Sequence, residues 1–141
     1  MNRPLVVLDT NVVVSALRSQ RGAASQVLTA VGGEWFDIAI SVPIVLEYEE
    51  ALVAQRVLDI SEVDIRTALD YLCTVGHQHE VFFLWRPMLR DPNDDMVLEL
   101  AVAAQCAAVV TYNVRDFWGA ERFGVGVWTP ADLLRKVGLL S

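Results

Sequence analysis

The sequence predicts an α/β protein, with a central parallel sheet of about five strands between helices in three layers. Three observations carry this. The run Leu5-Val6-Val7-Leu8 is short, apolar and free of polar alternation, as a strand buried on both faces should be. Similar short runs recur and alternate with helical patterns, which is the signature of strand–helix–strand units joined by right-handed crossovers. The 141 residues are 54% hydrophobic with a mean hydropathy of +0.38, enough to fill the core of one domain, 1–141.

In order along the chain, Leu5–Leu8 is the first strand and runs into Asp9-Thr10-Asn11. Val12 to Arg18 follows as a short helix, and Ala23 to Val31 as a second, stopped by Gly32-Gly33. Trp35 to Ile40 is the second strand. Ser41 and Pro43 mark the start of a helix to about Ala54, because proline is tolerated in a first turn. Ser61 caps another helix, with Glu62 and Asp64 favouring its dipole and Gly76 ending it. Glu80 to Trp85, rich in aromatics and valine, is the third strand. The turn-type cluster Arg90 to Asp95 leads into a buried helix, Met96 to Cys106. Ala107 to Thr111 and Val125 to Trp128 are the fourth and fifth strands. Thr129 and Pro130 open a last helix that Gly138 closes.

Composition removes several function classes. The longest charge-free stretch, Leu100 to Val114, contains Gln105, Thr111 and Asn113 and falls short of the roughly 18–20 residues of a membrane span. Asp9 interrupts the only early apolar run, so no signal peptide is expected. Cys73 and Cys106 form no C-x-x-C pair, which speaks against zinc or redox work and for a cytoplasmic setting. Net charge is −7 and Lys136 is the single lysine, so a broad electrostatic grip on nucleic acid is not expected. Contact with nucleic acid would be local and arginine-based, with Arg18, Arg21, Arg86, Arg90 and Arg115 near the loops as candidates.

The acids are more informative. Asp9 ends strand one, Glu47 lies early in the helix after strand two, Asp94 and Asp95 start the helix after strand three, and Asp116 follows strand four. In a parallel sheet all of these places fall on one rim, where open α/β sheets bind ligands. Each acid has an ordinary structural reading: Asp9 as a helix cap, Asp94 and Asp95 as dipole partners, Glu47 as a solvated residue, Asp116 as a turn residue. Together they weigh more. Two like charges about 4 Å apart repel by roughly 4 kcal/mol at an effective dielectric near 20, so such a rim calls for protons or a cation. With oxygen donors only, the cation is a hard one, Mg²⁺ or Mn²⁺, suited to phosphate chemistry.

Other strand-end aspartates fit less well. Haloacid-dehalogenase-type phosphatases need a second Asp where this chain has Asn11, and they and receiver domains need a rim lysine. No Walker-type or G-x-G-x-x-G loop is present. His77 and His79 precede the third strand, at the opposite edge.

The ordered set Leu8-Asp9-Thr10-Asn11, Ser41 to Tyr48, Asp91 to Asp95 and Val110 to Phe117 resembles the PIN-domain (PilT N-terminus) family, and within it the subgroup of toxins of toxin–antitoxin modules. The resemblance spans nearly the whole chain. It implies a PIN-like five-stranded parallel sheet and a divalent-metal-dependent ribonuclease acting on single-stranded or exposed RNA. Carried over by residue, Asp9, Glu47 and Asp95 match the three core acids and Asp116 the fourth. Asn113, Thr10, Asn11 and Thr111 match polar positions of the site. Asp91, Asp94 and Asp95 compete for the third acid. Asp95 best fits the family spacing to Val110-Thr111, with Asp94 capping or assisting.

The function expected is therefore an endoribonuclease, the toxin of a type II toxin–antitoxin module, with Arg18 and Arg115 as RNA contacts. Its partners would be an RNA substrate, a cognate antitoxin whose basic segment plugs the acidic rim, and a second copy of the chain through the apolar excess. The alternative is a non-catalytic module of the same fold that binds a metal or a basic peptide. A structure-specific DNA nuclease is a third reading, disfavoured by the short chain.

Overall fold

The computed structural model describes residues 3–55, 60–81 and 92–140. Five strands form one sheet: β1 (Leu5–Leu8), β2 (Asp37–Ile40), β3 (His77–Gln78), β4 (Ala108–Val110) and β5 (Gly126–Trp128). Every pairing is parallel and the strand order is β3-β2-β1-β4-β5. Six helices accompany them: α1 (Thr10–Arg18), α2 (Ala23–Ala30), α3 (Val42–Ala54), α4 (Glu62–Val75), α5 (Pro92–Ala103) and α6 (Pro130–Val137). Successive strand residues face opposite sides. Val6 and Val7 in the central strand are both 0% exposed, so both faces of the sheet are covered. This is the three-layer α/β/α arrangement expected from the apolar runs.

The order places the topological switch at β1 and β4, since the chain goes one way from β1 to β2 and β3, and the other way to β4 and β5. In open parallel sheets the crevice beyond the strand carboxyl ends at that point is the ligand site. The register Val7↔Val109 and Leu8↔Val110 brings Asp9 and Thr111 out of neighbouring strands side by side.

Helix ends follow the local chemistry. Ser41 and Ser61 accept from the backbone N–H groups of Ile44 and Asp64, as N-caps do. Thr129 and Asp132 exchange side-chain and backbone bonds in a capping box at α6, and Gly138 closes that helix with φ +88°.

One strand lies elsewhere than the apolar pattern places it. The expected third strand was Glu80–Trp85. Glu80 and Val81 are not in a strand, residues 82–85 lie outside the described residues, and the strand beside β2 is His77–Gln78. Both of its residues are exposed. A short edge strand needs backbone pairing and not apolar side chains, so no hydrophobic signal marks it. Gly76 makes the early start feasible, because a Cβ there would lie 2.7 Å from the Leu72 carbonyl and 3.0 Å from the Ile40 side chain. The chain can thus leave α4 and pair with β2 at once. The buried helix also begins earlier than expected. The Pro92 to Asp95 cluster is its first turn, not a loop before it.

Candidate metal and nucleic-acid cleft

Asp9 has two roles that the sequence offered as alternatives. It is the N-cap of α1, its Oδ1 accepting from the Thr10 N–H at 2.8 Å. It is also only 6% exposed and stands at the rim. Its Oδ2 accepts from the Thr111 hydroxyl at 2.7 Å. The Thr111 oxygen in turn accepts from the Asn113 N–H at 2.9 Å and from Asn11 Nδ2 at 3.4 Å. Asn11 Oδ1 accepts from the Tyr112 N–H at 3.3 Å. These bonds stitch the end of β1 to the end of β4 and fix the orientation of the Asp9 carboxylate.

Tyr48 fixes the same strand end from α3. It is 1% exposed, and its hydroxyl donates to the Leu8 carbonyl, one residue before Asp9. Burial, and secondarily the Asp9 charge, pushes its pKa well above the ordinary phenol value, so it stays a donor. Glu47 is its neighbour on α3.

A cleft of about 350 Å³ opens over this point, lined by Asp9, Thr10, Asn11, Val14, Ser15, Arg18, Glu47, Gln55, Asp94, Asn113 and Asp116. Four carboxylates from four segments therefore share one cleft, as the rim argument required. Asp116 sits on a 3₁₀ turn, Val114–Phe117, whose Phe117 is 0% exposed. That anchor turns Asp116 outward. Asp94 and Asp95 occupy the first turn of α5, where the helix dipole favours anions. Successive helix residues point about 100° apart, so the two carboxylates take different settings. Asp94 lines the cleft, while Asp95 is 7% exposed. Asp9 and Asp95 are the buried acids among the described residues. Arg115 is exposed beside Asp116. Asp91 lies outside the described residues, as do Arg86 and Arg90.

Ser15, Gln55 and Glu99 were not singled out from the sequence. Glu99 stands one helical turn after Asp95. Burial first, and the Asp95 charge second, raise its pKa above the usual carboxylate value. A folded pKa above the unfolded one means that Glu99 favours folding below about pH 4.3 and loses this contribution as pH rises through the folded value. Glu99→Gln is therefore expected to raise the melting temperature of metal-free protein at pH 7 and to leave it unchanged near pH 4. A lower melting temperature at pH 7 would contradict this.

The donor set suits one kind of ion. It is oxygen only, with no matching cysteine or histidine at the cleft. Among the described residues no three of His, Cys, Asp or Glu stand close enough to grip an ion together. Mg²⁺ accepts such a site, since it keeps several waters and takes one or two carboxylates.

A family model described as PIN domain matches residues 5–115. No curated protein matches the chain. Among solved structures, VapBC2 from Rickettsia felis, bound to a DNA fragment from its promoter, is similar in fold. Its TM-score is 0.59 at 17% sequence identity, with 88% of this chain and 98% of that chain covered.

Proposed function

The chain belongs to the PIN-domain family, and from that premise we propose that it is a divalent-metal-dependent endoribonuclease, the toxin of a type II toxin–antitoxin module. The observation that carries this reading is the gathering of Asp9, Glu47, Asp94 and Asp116 in one cleft at the switch point, with Asp95 buried beside Asp94. Asp9, Glu47, Asp95 and Asp116 would hold Mg²⁺ or Mn²⁺, directly or through waters, with Asp94 assisting. When bound, the ion neutralises phosphate charge and supplies a more acidic water.

The remaining work falls to the chain. Thr10 and Thr111 orient the Asp9 carboxylate, and Asn11 keeps Thr111 in place. Asp116, exposed at the cleft mouth, would complete the ion's site or orient the attacking water; as the water oxygen bonds to phosphorus and gives its proton to solvent, the bond to the leaving ribose oxygen breaks and that oxygen takes a proton from solvent. Arg18, in the lining of the cleft, binds a substrate phosphate, and the exposed Arg115 takes a second one outside. The exposed Val42, Leu46 and Val53 on α3 favour a protein partner, antitoxin or second copy, at that face. The VapBC2 complex has a related fold, which is compatible with an antitoxin partner here.

The test is cleavage of a mixed panel of RNAs with Mg²⁺, Mn²⁺ or EDTA. Cutting that depends on the ion is expected, with Asp95→Asn and Asp94→Asn separating the third acid from its neighbour. Cutting that survives EDTA would refute the reading. Ion binding without cutting would favour the non-catalytic module.

A further inference from the structure

Next to the acid cleft stands an aromatic side chain that the proposed chemistry does not use. Two residues past Asp116, Trp118 is 83% exposed, the most exposed large apolar side chain among the described residues. Its placement is built. Phe117 before it is fully buried, Gly119 after it has φ +94°, and its own N–H donates to the Arg115 carbonyl at 3.2 Å. The turn therefore drives Phe117 into the core and holds the indole out. Arg115 precedes it by three residues. Arg122 follows, its Nε donating to the Gly119 carbonyl at 3.3 Å and its guanidinium 5.8 Å from the Phe123 ring centroid. Among the described residues neither arginine pairs with a carboxylate; the arginine ion pairs are Arg3–Asp37 and Arg135–Asp132. On a chain of net charge −7, Arg115 and Arg122 match Asp116 and Glu121 along 115–122, which makes this a locally neutral aromatic ledge with two arginines, and it follows directly in the chain on Asn113 and Asp116 of the cleft.

We propose that Trp118 is a base-stacking platform that positions single-stranded RNA for the cleft. One unpaired base near the scissile phosphate lies on the indole, and Arg115 holds a neighbouring phosphate. Single strands expose base faces that duplexes hide, and aromatic ledges with flanking cations are how proteins hold such strands. Exposed Tyr112, Val114 and Phe123 lie near it in the chain, interleaved with Arg115, Asp116, Glu121 and Arg122, and this mixture of rings and charges suits a nucleic-acid strand, which offers base faces and phosphates together. The inference deepens the ribonuclease reading and rests on it for the reaction, but not for binding.

The test separates the two. Mixed-sequence RNA of about ten nucleotides, within the usual single-strand site size, is titrated in EDTA while tryptophan fluorescence is read. Quenching is expected in the parent. Trp118→Ala should bind about tenfold more weakly, the scale of one stacked base, and Trp118→Phe should restore most of the affinity. An abasic position in the RNA should weaken binding to the parent and add nothing to the Trp118→Ala loss. With Mg²⁺, Trp118→Ala should raise KM and leave kcat within about twofold. Unchanged RNA affinity in Trp118→Ala would overturn the proposal, and so would loss of self-association in its place. RNA that is bound and quenched but not cut would refute the nuclease reading and leave the platform standing.

Discussion

Asp9→Asn is expected to abolish RNA cleavage, by at least about 100-fold, or roughly 2.7 kcal/mol of transition-state stabilisation, while leaving the fold intact. The two halves of this expectation come from different bonds. For folding, asparagine caps a helix about as well as aspartate, its amide oxygen can accept from the Thr10 N–H, and its NH₂ group can donate to the Thr111 oxygen in place of the present bond and of the long 3.4 Å bond from Asn11. The change also removes a buried negative charge, which is costly to hold. Melting should therefore shift by no more than about 3 °C, and upward if at all. For catalysis, the same change removes the charge that an Mg²⁺ ion would bind. A variant that unfolds would place Asp9 among the structural residues. One that cuts RNA like the parent would remove it from the site.

The second large effect is stabilisation by the ion itself. A ligand that binds only the folded chain contributes about 2.7 kcal/mol at a hundredfold excess over Kd, which for a chain of this size raises the melting temperature by roughly 5–10 °C. The source is electrostatic: four cleft carboxylates and the buried Asp95 are held together by folding, and a cation relieves their repulsion. Scanning melts in EDTA, Mg²⁺ and Mn²⁺ measure it. Asp9→Asn and Glu47→Gln should each reduce the shift. Equal melting temperatures in EDTA and in saturating Mg²⁺ would argue against a preformed site.

Much of this was legible in the sequence, for physical reasons. A buried parallel strand has to be apolar on both faces, so Leu5–Leu8 declares itself and places Asp9 at its end. Thr129, Pro130 and Gly138 delimit α6 because caps and glycine stops are local chemistry. Parallel topology put Glu47, Asp94 and Asp116 on the same rim as Asp9, and the strand order β3-β2-β1-β4-β5, which the sequence left open, brings them to one cleft. What was not legible depends on tertiary contact. β3 escaped because an exposed edge strand of His77 and Gln78 carries no hydrophobic pattern. Tyr48 gave no hint that its hydroxyl would reach the Leu8 carbonyl, since the bond spans 40 residues. The choice between Asp94 and Asp95 turns on the azimuth of α5, and the sequence placed that helix start several residues too late. The network from Thr111 to Asn11 also spans about a hundred residues, beyond any local signal.

The most direct measurement of the central claim is the chemistry of the cut ends. A water activated at an acid-held metal site attacks phosphorus without the ribose 2′-hydroxyl. Cleaved RNA should therefore carry open monophosphate and hydroxyl ends, made only with Mg²⁺ or Mn²⁺ and lost in Asp9→Asn. Ends bearing a 2′,3′-cyclic phosphate, or cutting that persists in EDTA, would contradict it.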